Sequence, residues 1–149
     1  MQDYDPLVQN AIHCVQTFEQ VKKVTEQARP FGYTSISHDF VFGLPKQTMP
    51  AIKDCIEKTI SLRPDNISLY SSDHIPWVKG PGQQGFSEEG LPSGAEKRAL
   101  YKYAKKALLN ARYLEIGMDH FGNVYDNRSP CTIKSGKRTI QQIRVDKVC

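Results

Sequence analysis

Closely spaced cysteines are missing from this chain. Its four, Cys14, Cys55, Cys131 and Cys149, are never closer together than 18 residues. No single turn therefore supplies two ligands of a zinc or iron–sulfur site. A disulfide framework is not expected either, in a chain of this size read as cytosolic. Long apolar runs are also missing, and nothing approaches the ~20 residues that cross a bilayer. The opening Met-Gln-Asp-Tyr-Asp-Pro has neither a basic n-region nor an apolar h-region. We therefore expect no secretory signal and a cytoplasmic location. The pattern GxxxxGK[ST] is absent, which removes a phosphate-loop reading of Lys46. No serine stands in a nucleophile-elbow context.

The 149 residues suffice for one ordinary domain with its own core. Their charge is unevenly placed. Residues 1–126 carry 14 Lys/Arg against 15 Asp/Glu, whereas residues 127–149 carry six basic residues against Asp146 alone. No aromatic follows Tyr125, so the basic tail has nothing to stack on bases. We read residues 123–149 as a divergent, poorly ordered tail, and expect neither nucleic acid nor membrane as a partner.

Local signals order the rest. Asp5-Pro6 starts a helix with apolar residues from Leu7 to Val15 at helical spacing. Thr17 and Gln20 form a capping box for a second helix, which Arg29-Pro30-Phe31-Gly32 ends. Tyr33 to Phe42 reads as a strand. Thr48 caps a helix through Ile52, Cys55, Ile56 and Leu62, and Asn66 to Tyr70 is a second strand. Residues 74–94 read as a long loop. An amphipathic helix follows Ser93-Gly94, and Tyr113 to Gly117 is a third strand. Alternating strands and helices predict an α/β fold with parallel strands. Three strands opening on a helix look like a section of a larger barrel.

Polar residues gather where these strands end, at the edge that forms the active-site face of parallel barrels. Asp39 lies inside an apolar strand, where a carboxylate is costly unless paired or hydrogen-bonded; ribose hydroxyls or an ammonium group would serve. Asp73-His74 closes the second strand and Asp119-His120 the third.

Five stretches now bear on one another: Gln2-Asp3-Tyr4, Ser37-His38-Asp39-Phe40-Val41-Phe42-Gly43-Leu44-Pro45-Lys46-Gln47-Thr48, Arg63-Pro64-Asp65 with Ile67-Ser68-Leu69-Tyr70, His74-Ile75-Pro76-Trp77, and Gly117-Met118-Asp119-His120-Phe121. In order and spacing they resemble consecutive motifs of the oxygen-independent coproporphyrinogen III oxidases, over residues 2 to about 122. That resemblance implies the C-terminal half of a partial (β/α) radical-SAM barrel over residues 1–122. It implies S-adenosylmethionine and a [4Fe–4S] cluster as cofactors, and a tetrapyrrole, coproporphyrinogen III, as substrate for oxidative decarboxylation in porphyrin and heme biosynthesis. It carries the family's S-adenosylmethionine contacts onto Gln2 and Asp39. An expected Arg falls on Cys14, and an expected small residue on Asp73. Arg112 stands where a helix-ending Gly is expected.

The cluster motif CxxxCxxC is not in the chain, so we assign no metal ligand and no catalytic residue. We expect inactivity without a complementing N-terminal half-barrel. Past Phe121 the family pattern stops, and a shifted reading frame would account for the tail. The alternative is a non-catalytic half-barrel that binds a partner or heme, with His13, His38, His74 or His120 as axial ligand.

Overall fold

The computed structural model describes residues 2–72, 90–123 and, as backbone, 143–144. Its elements run α1 (Pro6–Ala11), α2 (Phe18–Ala28), β1 (Ile36–Phe42), α3 (Met49–Ser61), β2 (Asn66–Ser71), α4 (Gly94–Asn110), β3 (Tyr113–Gly117), β4 (His120–Asn123) and β5 (Ile143–Arg144). The caps read from the sequence do their work. The Asp5 carboxylate accepts from the Leu7 amide, and both Thr17–Gln20 and Ser93–Glu96 close reciprocal capping boxes. Thr48 accepts from Ala51. Each satisfies donors that the first helical turn leaves open.

The sheet order is β3-β4-β2-β1-β5. β1 pairs with β2 in parallel, Asp39 opposite Ser68. The expected third strand is present, but it pairs with an unexpected one: β3 and β4 form an antiparallel hairpin, and β4 runs antiparallel to β2. The sheet is therefore mixed. Met118 (φ 49) and Asp119 (φ 61) make the turn, two positive φ values in a two-residue loop. Neither residue is Gly or Asn, so the usual hairpin signal is absent. Two boundaries also move. α1 stops at Ala11, leaving Val15 exposed, and β1 begins at Ile36 rather than Tyr33. β5, from within the divergent tail, adds in parallel at Ile36 and Ser37.

One face of the sheet carries the core. Ile36, Phe40 and Phe42 of β1, Ile67 and Leu69 of β2 and Phe121 of β4 pack with Ile52 and Ile56 of α3 and Leu100 and Leu108 of α4. A fully buried side chain of this kind contributes roughly 1.5–3 kcal/mol. His38 lies on this same face, its Nε2 3.0 Å from Thr25 Oγ1 of α2. Strand alternation then turns Ser37, Asp39 and Val41 to the opposite face.

α3 and α4 end alike. Their chains reverse through Arg63 (φ 47) and Arg112 (φ 67), in the left-handed conformation that glycine adopts without strain. The Arg63 side chain is exposed, and its contact with Arg29 is through its backbone carbonyl. Arg63→Gly is expected to raise stability by up to ~1 kcal/mol, since left-handed strain exceeds the entropy that glycine adds to the unfolded chain. A lowered thermal midpoint would show the arginine to be doing something the backbone does not reveal.

Candidate functional site

The face opposite the helices is polar. Asp39 stands opposite Ser68, and Ser68 stands opposite His120, so one row of the sheet carries a carboxylate, a hydroxyl and an imidazole. Ser37 and Asn66, paired one step before, and Tyr70, two residues beyond Ser68, share the face by alternation. Ser37, Asp39 and Ser68 are buried. The Tyr70 ring meets the His120 ring edge-on at 5.9 Å. The Nδ1 atom of His120 is buried with no hydrogen-bond partner among the described residues. Such an atom costs free energy unless something pairs with it.

The β3–β4 turn is tied to this row from both sides. The Leu69 amide donates to the Asp119 carbonyl (2.9 Å), and the Tyr101 hydroxyl of α4 donates to Asp119 Oδ1 (2.6 Å). That hydrogen bond raises the pKa of Tyr101 above the usual phenol range, with burial adding to it. Lys105 of α4 pairs with Glu115 of β3 at 2.6 Å. Helix α4 thereby fixes the strained turn at the C-terminal end of β2.

The sequence-predicted residues separate into three groups. Gln2 runs alongside β1, its side chain exposed: the Val41 amide donates to the Gln2 carbonyl (3.5 Å), two residues beyond Asp39. Cys14 lies in the α1–α2 connection, its amide donating to the Gln9 carbonyl (3.0 Å). It is disulfide-bonded, a single link where no disulfide framework was expected. Asp73, His74 and Trp77 lie outside the described residues. Of the other histidines, His13 is exposed and His38 is enclosed on the core side.

Two residues the sequence reading passed over hold the site's edge. Asp3, 2% exposed, accepts from the Asp5 amide (2.9 Å) and from Gln47 Nε2 (2.6 Å). Burial raises its pKa, and those hydrogen bonds oppose the rise. Gln47 also donates to the Val41 carbonyl and accepts from the Gly43 and Leu44 amides. The signal in the sequence was their place in two of the motifs, Gln2-Asp3-Tyr4 and the stretch ending Lys46-Gln47-Thr48.

Comparison with known proteins bears directly on this arrangement. No protein-family model matches the chain. The oxygen-independent coproporphyrinogen III oxidase of Helicobacter pylori (strain J99 / ATCC 700824) is 38% identical over 121 residues, which are 81% of this chain and 26% of that protein. The protein of the same name from Pseudomonas aeruginosa is 36% identical over the same shares of the two chains. The chain is homologous to a segment of the oxygen-independent coproporphyrinogen III oxidases. It spans about a quarter of the length of these oxidases. The solved coproporphyrinogen III oxidase (HemN) from Escherichia coli, a radical SAM enzyme, matches with a TM-score of 0.80 and 30% identity, over 85% of this chain and 29% of that one. The mixed α/β sheet thus follows the fold of an oxidase of this family.

The donor sets differ in what they fit. Asp39, Ser37, Ser68 and the unpartnered His120 nitrogen suit a polar, hydroxyl-rich ligand such as S-adenosylmethionine. No group of three or more His, Cys, Asp or Glu among the described residues is placed to hold a metal ion. Cys55 is fully buried, its Sγ accepting from the Tyr4 amide, and burial raises its thiol pKa. The described cysteines do not fit a [4Fe–4S] cluster. No helix among the described residues is long and apolar enough to cross a membrane.

Proposed function

We propose that residues 2 to about 122 form S-adenosylmethionine-binding strands of an oxygen-independent coproporphyrinogen III oxidase. That enzyme is an oxidoreductase of porphyrin and heme biosynthesis, acting on coproporphyrinogen III by oxidative decarboxylation. The observation that carries the reading is Asp39: a buried carboxylate on the polar face of β1, in one row with Ser68 and His120, on the strand whose Val41 amide bonds the Gln2 carbonyl. In this reading Asp39 accepts from ribose hydroxyls or an ammonium group, and Gln2 and the Ser68 hydroxyl complete the polar contacts. S-adenosylmethionine supplies the deoxyadenosyl radical when a reduced cluster is present.

The 149 residues contain no CxxxCxxC, so cluster ligands have to come from elsewhere, and the partner this reading requires is an N-terminal half-barrel. Residues 123–149 stand apart in this division as a basic segment. The setting is the cytoplasm, where such a soluble half-barrel meets its substrate.

Calorimetric titration of the chain with S-adenosylmethionine tests the reading. The chain is expected to bind, and Asp39→Ala to weaken binding at least about tenfold, the scale of a lost charged hydrogen bond. Circular dichroism establishes that both proteins are folded. A folded chain that shows no binding, or an Asp39→Ala chain that binds equally well, sinks the assignment.

A further inference from the structure

Gln47 uses its full hydrogen-bonding capacity. Its two amide protons go to Asp3 Oδ2 (2.6 Å) and the Val41 carbonyl (3.1 Å), and its oxygen takes the Gly43 (2.7 Å) and Leu44 (3.3 Å) amides. A Gln side chain offers two donors and about two acceptor sites, so nothing is left over. One side chain thus gathers the last residues of β1 and the turn beyond them.

Asp3 sets the direction of that side chain. An ionised carboxylate is acceptor-only, so it selects the NH₂ end of Gln47 and leaves the oxygen for the turn amides. Asp3 is itself fixed: its other oxygen accepts from the Asp5 amide (2.9 Å), and its carbonyl accepts from Gln9 Nε2 (2.7 Å). The Val41 peptide is then held at both ends, its amide on the Gln2 carbonyl and its carbonyl on Gln47.

The turn held this way is shaped to need holding. Gly43 has φ +81, and a Cβ there would lie 2.8 Å from Lys97 Cε. Lys97 continues past it to donate to the Ser72 carbonyl at the end of β2 (2.8 Å). A chain of contacts therefore runs from Asp3 through Gln47 and Gly43 to Lys97 and Ser72, along the C-terminal ends of both parallel strands.

We infer that Asp3 is a positioning residue, whose carboxylate acts through Gln47 to hold Gln2 and the Val41–Leu44 turn in the one arrangement that lets Gln2 and Asp39 contact the same S-adenosylmethionine. The inference rests on the ligand assignment made above. Asp3 touches no ligand in it. Its effect is to present, already ordered, two elements that the Asp3–Gln47 bond joins across 44 residues, which spares the ligand the cost of ordering them.

Amide hydrogen exchange at Gly43 and Leu44, together with calorimetry against S-adenosylmethionine, tests the inference. The proteins are the unmodified chain, Asp3→Ala, Asp3→Asn and, as a stability control, Val21→Ala. Val21 is fully buried in the core and makes none of the clamp's hydrogen bonds. Asp3→Ala is expected to speed exchange of both amides and to weaken binding, each by about tenfold or more. Asp3→Asn keeps one of the two side-chain bonds and should fall between, and it serves if the alanine variant does not fold. Val21→Ala should lower the thermal midpoint with neither change. Unchanged exchange in the Asp3 variants overturns the clamp whatever the ligand does. Weakened binding in Val21→Ala to the same degree overturns positioning in favour of plain stability. Faster exchange with no binding by the unmodified chain overturns the ligand assignment and leaves the clamp standing.

Discussion

Asp65→Ala is expected to destabilise the chain by about 3 kcal/mol, the low end of the loss when one partner of a buried ion pair is removed. The Asp65 side chain is only 2% exposed and lies 2.8 Å from Arg29 Nη1. Its Oδ2 also accepts from the Ile36 amide (2.6 Å). Three elements meet there: the end of α2, the first residue of β1 and the residue before β2. Backbone bonds join the same point, Asp65 N donating to the Ile36 carbonyl and Asn123 N to the Asp65 carbonyl. Alanine keeps those backbone bonds but leaves the Ile36 amide buried and unpaired, which costs about 1–3 kcal/mol. Arg29 is one-third exposed, so water recovers part of its charge, and that keeps the loss from the upper range. Asp65→Asn retains an acceptor for Ile36 and should cost less than alanine. Urea unfolding of the three proteins measures this. A loss below about 1 kcal/mol for alanine would place Asp65 with ordinary surface pairs.

The Arg63-Pro64-Asp65 stretch therefore acts as a strand-entry joint, although in the sequence it stood only as a motif between the helix through Leu62 and the strand from Asn66. That contrast marks where the sequence was legible. Helix starts were readable because each cap closes within two or three positions: Asp5 to Leu7, Thr17 to Gln20, Ser93 to Glu96. Asp39 was readable because a carboxylate among Phe40, Val41 and Phe42 violates local hydrophobic pattern. The β3–β4 hairpin was not, because Met118 and Asp119 both occupy left-handed conformations and Asp119 alone is a residue that favours one. Nor were Asp3 and Gln47, whose bond joins positions far apart in sequence and exists only once β1 and the first segment are side by side. The enclosure of His38 on the core side was not legible for a related reason. β1 is buried on both faces, so the polar residues at 38 and 39 gave no hint of which one faced the helices.

Because His38 faces the helices, stability is expected to fall as the solution is acidified below about pH 6.5, the usual histidine value. Its ring is fully buried. Nε2 sits 3.0 Å from Thr25 Oγ1, and Nδ1 has no partner among the described residues. Burial lowers its pKa to about 4. Between those two values the unfolded chain binds a proton at this site and the folded chain does not, so stability rises with pH there. The contribution is complete above pH 6.5 and is lost as the pH falls toward about 4. From about pH 7 to pH 5 the loss from this one group is roughly 2 kcal/mol. Asp3 works the other way: burial raises its pKa, so the folded carboxyl takes up a proton before the unfolded one, and acid favours the fold. Comparison with His38→Gln removes that opposing contribution, because both proteins contain Asp3. The unmodified chain should lose about 2 kcal/mol more than His38→Gln over that interval in urea unfolding. Parallel profiles would show that His38 is charged or reachable by water in the folded chain. His38 and Asp39 are consecutive and face opposite sides of β1. A ligand held at Asp39 should therefore raise both profiles by mass action without altering the difference between them.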